Sequence, residues 1–466
     1  MLHAQAQSYL NSFINYERNL AELKQANIKL DRMHRLMEQL SDPQRKFRCL
    51  HVAGTKGKGS TCHFIAFLLR AAGFRVGLYT SPHLHDVRER IRILQPNSSP
   101  VDPHSVEGCI STEAFERCLR QELYPHLENW RETELGTLSY FEVLTALAFY
   151  YFYQQRVDFA VFETGLGGRL DATNVVHAEV CGITPIGLEH TEQLGDTLGA
   201  IAQEKAAIIK DATQRVVIAP QTQEALSVIQ DHCDQVGAKY FTVGENIRFL
   251  INASAKSENS FSFYQGDQQY SDLTIPLAGE HQVLNAVTAL GMIQALNLNE
   301  QGFRQESIQE GLRQTFIAGR FEKLSLDGQE VILDCAHTPE SIQMLLKTFE
   351  SLYGRTPGIF LLGFSKDKRI EAMCRLIAPF AKRVIWTKAA HPRAAHLPTE
   401  QLKIFFQGSI VQSTENSEQA LAQAISNCGR DDRIVVTGSM YLVGEVREKI
   451  LTSCKSQVAS LKKKNA

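Results

Sequence analysis

Residues 49–61 read CLHVAGTKGKGST. An apolar run over 49–53 stops at Gly54, and a helical pattern opens at Ser60 and runs to residue 72. The order is strand, glycine-rich loop, helix. Gly54, Gly57 and Gly59 let the backbone turn tightly and point its N–H groups inward. Lys58 adds a mobile cation, and the helix aims its positive end at the same place. These are the parts of a phosphate cradle. The common form is GxxxxGK with Ser or Thr directly after the lysine; here Gly59 intervenes before Ser60. A glycine-rich turn without a ligand is the plainer alternative, but three glycines and an internal lysine between strand and helix argue against it. Alone, the loop points to ATP or GTP and not to a reaction.

Outward from this loop, short apolar runs alternate with helical stretches, the pattern of an α/β protein with a mostly parallel sheet. The predicted strands are 49–53, 157–163, 180–186 and 216–219, then a second series at 331–335, 358–363, 383–387 and 433–437. Helices are expected over 60–72 and 197–210. Most of these strands are apolar throughout, as required when helices cover both faces. Residues 251–272 are polar, aromatic and turn-rich, and suggest a small β excursion or hairpin on the first domain. The strand series restarts after FIAGR (316–320), which sets a domain boundary near 317. The expected fold is a P-loop nucleotide-binding domain over 1–316, followed by a smaller Rossmann-like α/β domain over 317–466, with a cleft between them.

The length of 466 residues suits two large domains or about three of ordinary size. Apolar residues at 44% and charged residues at 21% exclude a charge-rich disordered chain. Lys plus Arg total 49 against 51 for Asp plus Glu, a net charge of -2 that gives no global case for nucleic acid or an anionic membrane as partner. The apolar stretch 144–153 is about half of the ~20 residues a bilayer span needs and reads as a buried helix. No basic segment followed by an apolar core opens the sequence, and the ten cysteines form no CxxC pair. The expectation is a reduced, cytoplasmic protein.

Further along, Glu163 closes a predicted strand and leads into TGLGGRLDATN (164–174). A carboxylate at a strand's carboxyl end beside a phosphate loop is well placed for Mg2+, which prefers oxygen ligands; a solvated loop acid is the alternative. The segment 183–210 sets Glu189 and His190 after another strand and Lys205 inside a helix. Taken singly, His190 reads as structural and Lys205 as a surface helix lysine. Arg88, Arg90 and Arg92 at period two would share one face of an extended segment, either attracting an anionic tail or simply meeting solvent at a sheet edge.

The ordered set AGTKGKGST (53–61), SPHL (81–84), ERIRI (89–93), ETGLGGRLDATN (163–174), LGDTLGAIAQEKAAI (194–208) and GEHQVLNAVTAL (279–290) resembles the folylpolyglutamate synthases and bifunctional dihydrofolate synthases, which are Mur-ligase-like amide-forming enzymes. GRFE (319–322), DCAHTPES (334–341), DK (367–368), PRA (392–394) and TGSMYLVGEVR (437–447) continue the match over nearly the whole chain. The resemblance implies an ATP-dependent ligase. A folate or dihydropteroate carboxylate takes the γ-phosphoryl group, and the amino group of L-glutamate then attacks the acyl phosphate. Gly54, Thr55, Lys56, Gly57, Lys58, Gly59, Ser60 and Thr61 would bind the triphosphate. Ser81, Glu163 and His190 match Mg2+ positions, and Lys205 matches a lysine carbamoylated in the family, able to hold a second Mg2+. Gln282 and Asn285 match a segment near the adenine, and Arg320, Asp334 and His337 match positions reaching back from the second domain. The catalytic assignments are Lys58, Lys205 and His337. Tyr140, Phe141, Leu170 and Ala172 fall where the family lines its pterin site, although an aromatic pair there is equally compatible with plain core. His391 and Arg393 are candidates for the glutamate pocket by charge and by the PRA match. Family members are commonly monomeric.

Four positions depart from the usual bacterial pattern: Lys56 for Asn, Glu189 for Asp, Ala207 for Gly and Thr338 for Asn. Lys56 and Thr338 resemble the eukaryotic type, which only extends folates, whereas GLGGRLDATN resembles the bacterial type, which also accepts dihydropteroate. Two other functions compete: another Mur-type ligase acting on a cell-wall precursor, and a nucleotide-binding regulator without turnover. The absence of a UDP-binding domain ahead of residue 54 weighs against the first, and the joint presence of Lys58, Glu163, His190 and Lys205 against the second.

Overall fold

The computed structural model describes residues 2–18, 29–96, 106–128, 130, 134–252, 259–296, 298 and 303–464. Its first sheet comprises β1 (Arg48–Ala53), β2 (Val76–Tyr79), β3 (Ile91–Leu94), β4 (Phe159–Glu163), β5 (Val180–Ile183), β6 (Arg215–Ile218) and β7 (Lys239–Thr242), in the order β3-β2-β4-β1-β5-β6-β7. Every pairing is parallel except β2 with β3. Leu50 and Val52 of β1 pack into one core with the helices Lys58–Ala71 and Glu280–Ala295, while Cys49 and Ala53 pack into another with the helix Tyr140–Gln154. Burial on both faces is why the strand reads as an unbroken apolar run.

β8 (Ile247–Asn252), β9 (Asn259–Gln265) and β10 (Gln268–Ile275) form a separate antiparallel sheet, a full three strands where the sequence suggested an excursion or hairpin. Residues 253–258 of that stretch lie outside the described residues. The third sheet holds β11 (Glu322–Leu326), β12 (Gln329–Leu333), β13 (Gly358–Leu362), β14 (Ala381–Trp386), β15 (Ile410–Ser413) and β16 (Ile434–Thr437), in the order β11-β12-β16-β13-β14-β15. Only the β11–β12 hairpin is antiparallel, and this sheet too has a buried cluster on each face.

All eight predicted strands are present with ends shifted by up to three residues. Among those not foreseen, β2, β3 and β7 are only four residues long and β11 five, too short for a periodicity to declare itself. The stretch 144–153 lies within a helix capped by a reciprocal Ser139–Glu142 capping box. The ten cysteines are unpaired, and among the described residues no helix is long and apolar enough to cross a membrane.

One sequence reading is corrected here. Arg88, Arg90 and Arg92 do not form a solvated face, nor do they present free cations to a ligand. Arg88 lies in a short 3-10 turn and pairs with Asp86. Arg90 is 1% exposed, with both terminal nitrogens on the Glu17 carboxylate and its Nε on His83 Nδ1. Arg92 is buried and donates to the Glu107 carbonyl. A short strand closed off by a returning loop buries what an isolated edge strand would expose, and buried guanidinium groups must find partners.

Candidate active site

The carboxyl ends of both parallel sheets open on one cleft of about 560 Å3. From the first sheet come the loops after β1, β2, β4 and β5, bringing the phosphate loop, Ser81, Glu163 and the Glu189–His190 pair. From the second come the loops after β12, β13, β14 and β16, bringing Asp334 to His337, Lys368, Arg393 and Ser439. Loops at the carboxyl ends of parallel strands are where α/β sheets bind ligands, and here two such edges face each other.

The phosphate loop is shaped by its glycines. Gly57 sits at φ +87° immediately ahead of the helix Lys58–Ala71, and a Cβ there would lie 2.4 Å from Asn285 Oδ1. No side chain caps this helix, so its first N–H groups remain available for an anion at its positive end. The Thr61 hydroxyl is buried without a hydrogen-bond partner. A Cβ at Gly59 would come 3.2 Å from Glu163 Oε2, which explains why glycine separates Lys58 from Ser60. An anionic ligand fits this cradle.

Glu163 is buried, and one carboxylate oxygen accepts the Ser81 N–H at 3.0 Å. Burial pushes its carboxyl upward, against the lowering effect of Lys58. His190 is held at φ +54°, and burial lowers its imidazole to about 4, leaving it neutral. Ser81, Glu163 and His190 all line the cleft. Among the described residues no group of three or more His, Cys, Asp or Glu gathers as a protein-only metal cage. One carboxylate, one imidazole and one hydroxyl suit a magnesium ion that takes its other oxygens from phosphates and water.

Lys205 is not a surface lysine. It lies in the helix Leu198–Ala206, 4% exposed, behind the cleft wall, and its ammonium forms no hydrogen bond or ion pair among the described residues. Burial, reinforced by the charge of Lys58, brings it down to about 7.

On the opposite wall, Arg320 is exposed and reaches the cleft. Asp334 is committed to backbone, accepting the Phe321 and Ala336 N–H groups at 2.9 Å each, and burial raises its carboxyl. His337 Nδ1 lies 2.8 Å from the Cys335 carbonyl oxygen, which can only accept, so Nδ1 carries the proton and the other ring nitrogen keeps its lone pair. Burial holds this histidine at about 4. Gln282 and Asn285 meet each other at 3.0 Å on the cleft wall. Sequence reasoning passed over Ser439 and Lys368 although it quoted their motifs, and it passed over Glu17 altogether; all three line the cleft.

Phe141, Leu170 and Ala172 line the apolar end of the cleft, beside the buried Arg32–Glu142 ion pair. Tyr140 does not join them. Its ring is 5% exposed in the core, with the Arg90 guanidinium 5.8 Å from its centroid. Neighbouring residues on a helix point about 100° apart, so only one of an adjacent aromatic pair can face the cavity. Gly54 and Thr61 also lie behind the wall rather than on it. Arg393 lines the cleft, but its guanidinium is already held by Asp367 at 2.7 Å and the Glu17 carbonyl at 3.0 Å. His391 stacks on Tyr441 with centroids 3.7 Å apart.

Residues 116–293 match the Mur ligase middle domain, and residues 319–440 match the Mur ligase glutamate ligase domain. A dihydrofolate synthase/folylpolyglutamate synthase of Bacillus subtilis is 33% identical over 428 residues, covering 90% of this chain and 94% of that protein. The chain belongs to the folylpolyglutamate/dihydrofolate synthase family. Solved structures from this family superpose closely. The folylpolyglutamate synthase of Thermotoga maritima has a TM-score of 0.83 at 31% identity, over 97% of each chain. That of Mycobacterium tuberculosis, complexed with ADP, has a TM-score of 0.83 at 29% identity, over 96% of this chain and 98% of the other. The two-domain α/β architecture and its facing sheet ends are those of the folylpolyglutamate synthases.

Proposed function

We propose that this chain is an ATP-dependent ligase that joins L-glutamate to the carboxylate of a folate through an acyl phosphate. The observation that carries this reading is the convergence of the phosphate loop, Glu163 and His190 from one sheet with Arg320 and His337 from the other on a single cleft. Family membership favours it over a cell-wall ligase and over a regulator without turnover. We place the boundary between the two domains near residue 317, and take the enzyme to act as a cytoplasmic monomer.

In this reading Thr55 to Ser60, the part of the loop that lines the cleft, hold the triphosphate, with Gln282 and Asn285 towards the adenine. Ser81, Glu163 and His190 would hold Mg2+, which would supply positive charge against the phosphates. Lys58 and Arg320 add positive charge from the two sides of the cleft. Phe141, Leu170 and Ala172 form the apolar wall for the pterin. A carboxylate oxygen of the folate attacks the γ-phosphorus and ADP leaves; the glutamate nitrogen then attacks the acyl carbon and phosphate leaves. His337, neutral and with a free ring nitrogen, is placed to accept the proton the nitrogen sheds. Water must be kept from the acyl phosphate, and a cleft walled by two domains can close around it.

Lys205, in a carbamoylated form, would help to hold a second metal. A carbamate forms when a neutral amine attacks CO2 and loses a proton, and a buried lysine at about 7 has neutral amine available under physiological conditions. The modification would replace a buried ammonium, which makes no ion pair among the described residues, with an anion able to bind Mg2+.

Product mass spectrometry tests the whole reading, using MgATP, L-glutamate and, separately, tetrahydrofolate or dihydropteroate. Glutamyl addition to tetrahydrofolate alone is the expected outcome for an extending enzyme. Addition to both substrates assigns dihydrofolate synthesis as well, despite Lys56 and Thr338. Addition to neither, with ATP still bound, sinks the folate reading.

A further inference from the structure

Two of the four departures from the bacterial pattern, Lys56 and Glu189, meet in the cleft. Lys56 Nζ lies 3.2 Å and 3.1 Å from the two carboxylate oxygens of Glu189. The pair ends a series of rungs fastening the loop after β5 to the phosphate loop. Thr184 donates to the Ala53 carbonyl from both its backbone nitrogen, at 2.8 Å, and its hydroxyl, at 3.2 Å. The Thr55 and Lys56 N–H groups share the Pro185 carbonyl. Thr55 Oγ1 exchanges hydrogen bonds with the backbone of Gly187 in both directions. Lys56–Glu189 follows, and the next residue is His190.

The pair is not an ordinary surface bridge. Both residues line the cleft, with side-chain exposures of 39% for Lys56 and 18% for Glu189. Both carboxylate oxygens of Glu189 face the Lys56 ammonium within hydrogen-bond distance. Burial lowers the Lys56 ammonium, and the facing carboxylate opposes that; the ion-paired state is the one the geometry supports. An ammonium has three donors, and one carboxylate does not exhaust them.

We propose that Glu189 is a positioning residue: its ion pair with Lys56 presents the lysine to the triphosphate, screens the carboxylate from it, and fixes the segment that carries His190. This rests on the nucleotide reading of the cleft. It predicts an asymmetry. Removing Lys56 leaves an uncompensated carboxylate facing an anionic ligand, so nucleotide binding weakens sharply. Removing Glu189 instead frees the ammonium for phosphate but loosens the last rung before His190, so nucleotide binds without metal while the gain from Mg2+ shrinks. Removing both charges abolishes the repulsion and recovers much of the affinity.

The experiment is calorimetric titration of a non-hydrolysable ATP analogue into the full chain, with and without Mg2+. The variants are Lys56→Asn, Glu189→Asn and the two combined, with melting curves as a folding control. Lys56→Asn is expected to weaken binding about ten-fold, and the double variant to return within about three-fold of the parent, a coupling within the range for contacting residues. Glu189→Asn is expected to lose most of the Mg2+-dependent gain. Lys56→Arg and Glu189→Asp keep both charges and should stay close to the parent. The proposal is overturned if the two Asn substitutions simply multiply with the Mg2+ gain untouched, or if the charge-keeping variants lose as much as the Asn variants. A parent chain that binds no analogue overturns the nucleotide reading itself, and the proposal with it.

Discussion

At the scale of single residues, two contacts carry most of the chemistry. Lys58 sits at the mouth of an uncapped helix beside Glu163 and adds its charge to that of the helix end. Lys58→Ala should lower glutamate-dependent ADP release by about 100-fold or more without moving the melting temperature; unchanged turnover would remove this lysine from the mechanism. Gly168 explains the last glycine of GLGG by close approach. A Cβ at this position would lie 2.7 Å from the Glu204 carbonyl oxygen and 3.0 Å from the Lys205 Cα. Gly168→Ala should therefore push the Lys205 helix outward. If Lys205 is carbamoylated, the variant should lose the carbamate signal seen by 13C NMR under labelled CO2, and lose activity with it. The parent's signal should strengthen as pH rises from 6 to 8, because the neutral amine near pKa 7 is the reacting form.

At the scale of elements, the helix Tyr140–Gln154 shows how one carboxylate organises a substrate wall. Glu142 accepts the Ser139 N–H in the capping box and also binds Arg32 from the helix Leu30–Gln39, at 2.8 Å and 3.2 Å. Both side chains of the pair are 7% exposed. Glu142→Ala strands a buried guanidinium and uncaps a helix together, so urea unfolding should report a loss of about 3–5 kcal/mol. A loss below about 1 kcal/mol would mean that Arg32 finds water or another acceptor. Because Phe141 is the adjacent residue and lines the cleft, the surviving folded fraction should also bind folate more weakly. That this element is a helix was legible from its apolar run. Which of Tyr140 and Phe141 faces the cavity was not, because the answer depends on where the neighbouring Arg90 has to be buried.

At the scale of the whole molecule, folding keeps six histidines neutral. Burial lowers His51, His63 and His83 to about 3, and His190, His281 and His337 to about 4. Each titrates near 6.5 when the chain unfolds, so below that pH the unfolded state takes up protons that the folded state refuses. Their contribution to stability is complete above 6.5 and drains away as pH falls towards 4. The melting temperature of the ligand-free protein should drop steeply between pH 6.5 and 5, and a flat profile there would contradict the burial of these rings. The same scale contains the join between the halves. Glu17 receives Arg90 on its carboxylate and Arg393 on its carbonyl, tying the amino-terminal segment to both walls of the cleft.

The sequence by itself determined the phosphate loop, the positions of eight strands, the buried helix at 144–153 and the membership of the family. All of these are written in residues that are neighbours in the chain, where periodicity and turn chemistry act over a few positions. Only the tertiary structure decided that Lys205 is buried, that Tyr140 belongs to the core, that Arg88, Arg90 and Arg92 are already partnered, and that Lys56 finds Glu189. That last pair is separated by 133 positions along the chain. Burial and pairing over such distances are set by which loops the two sheets bring to their shared edge, and no local pattern encodes them.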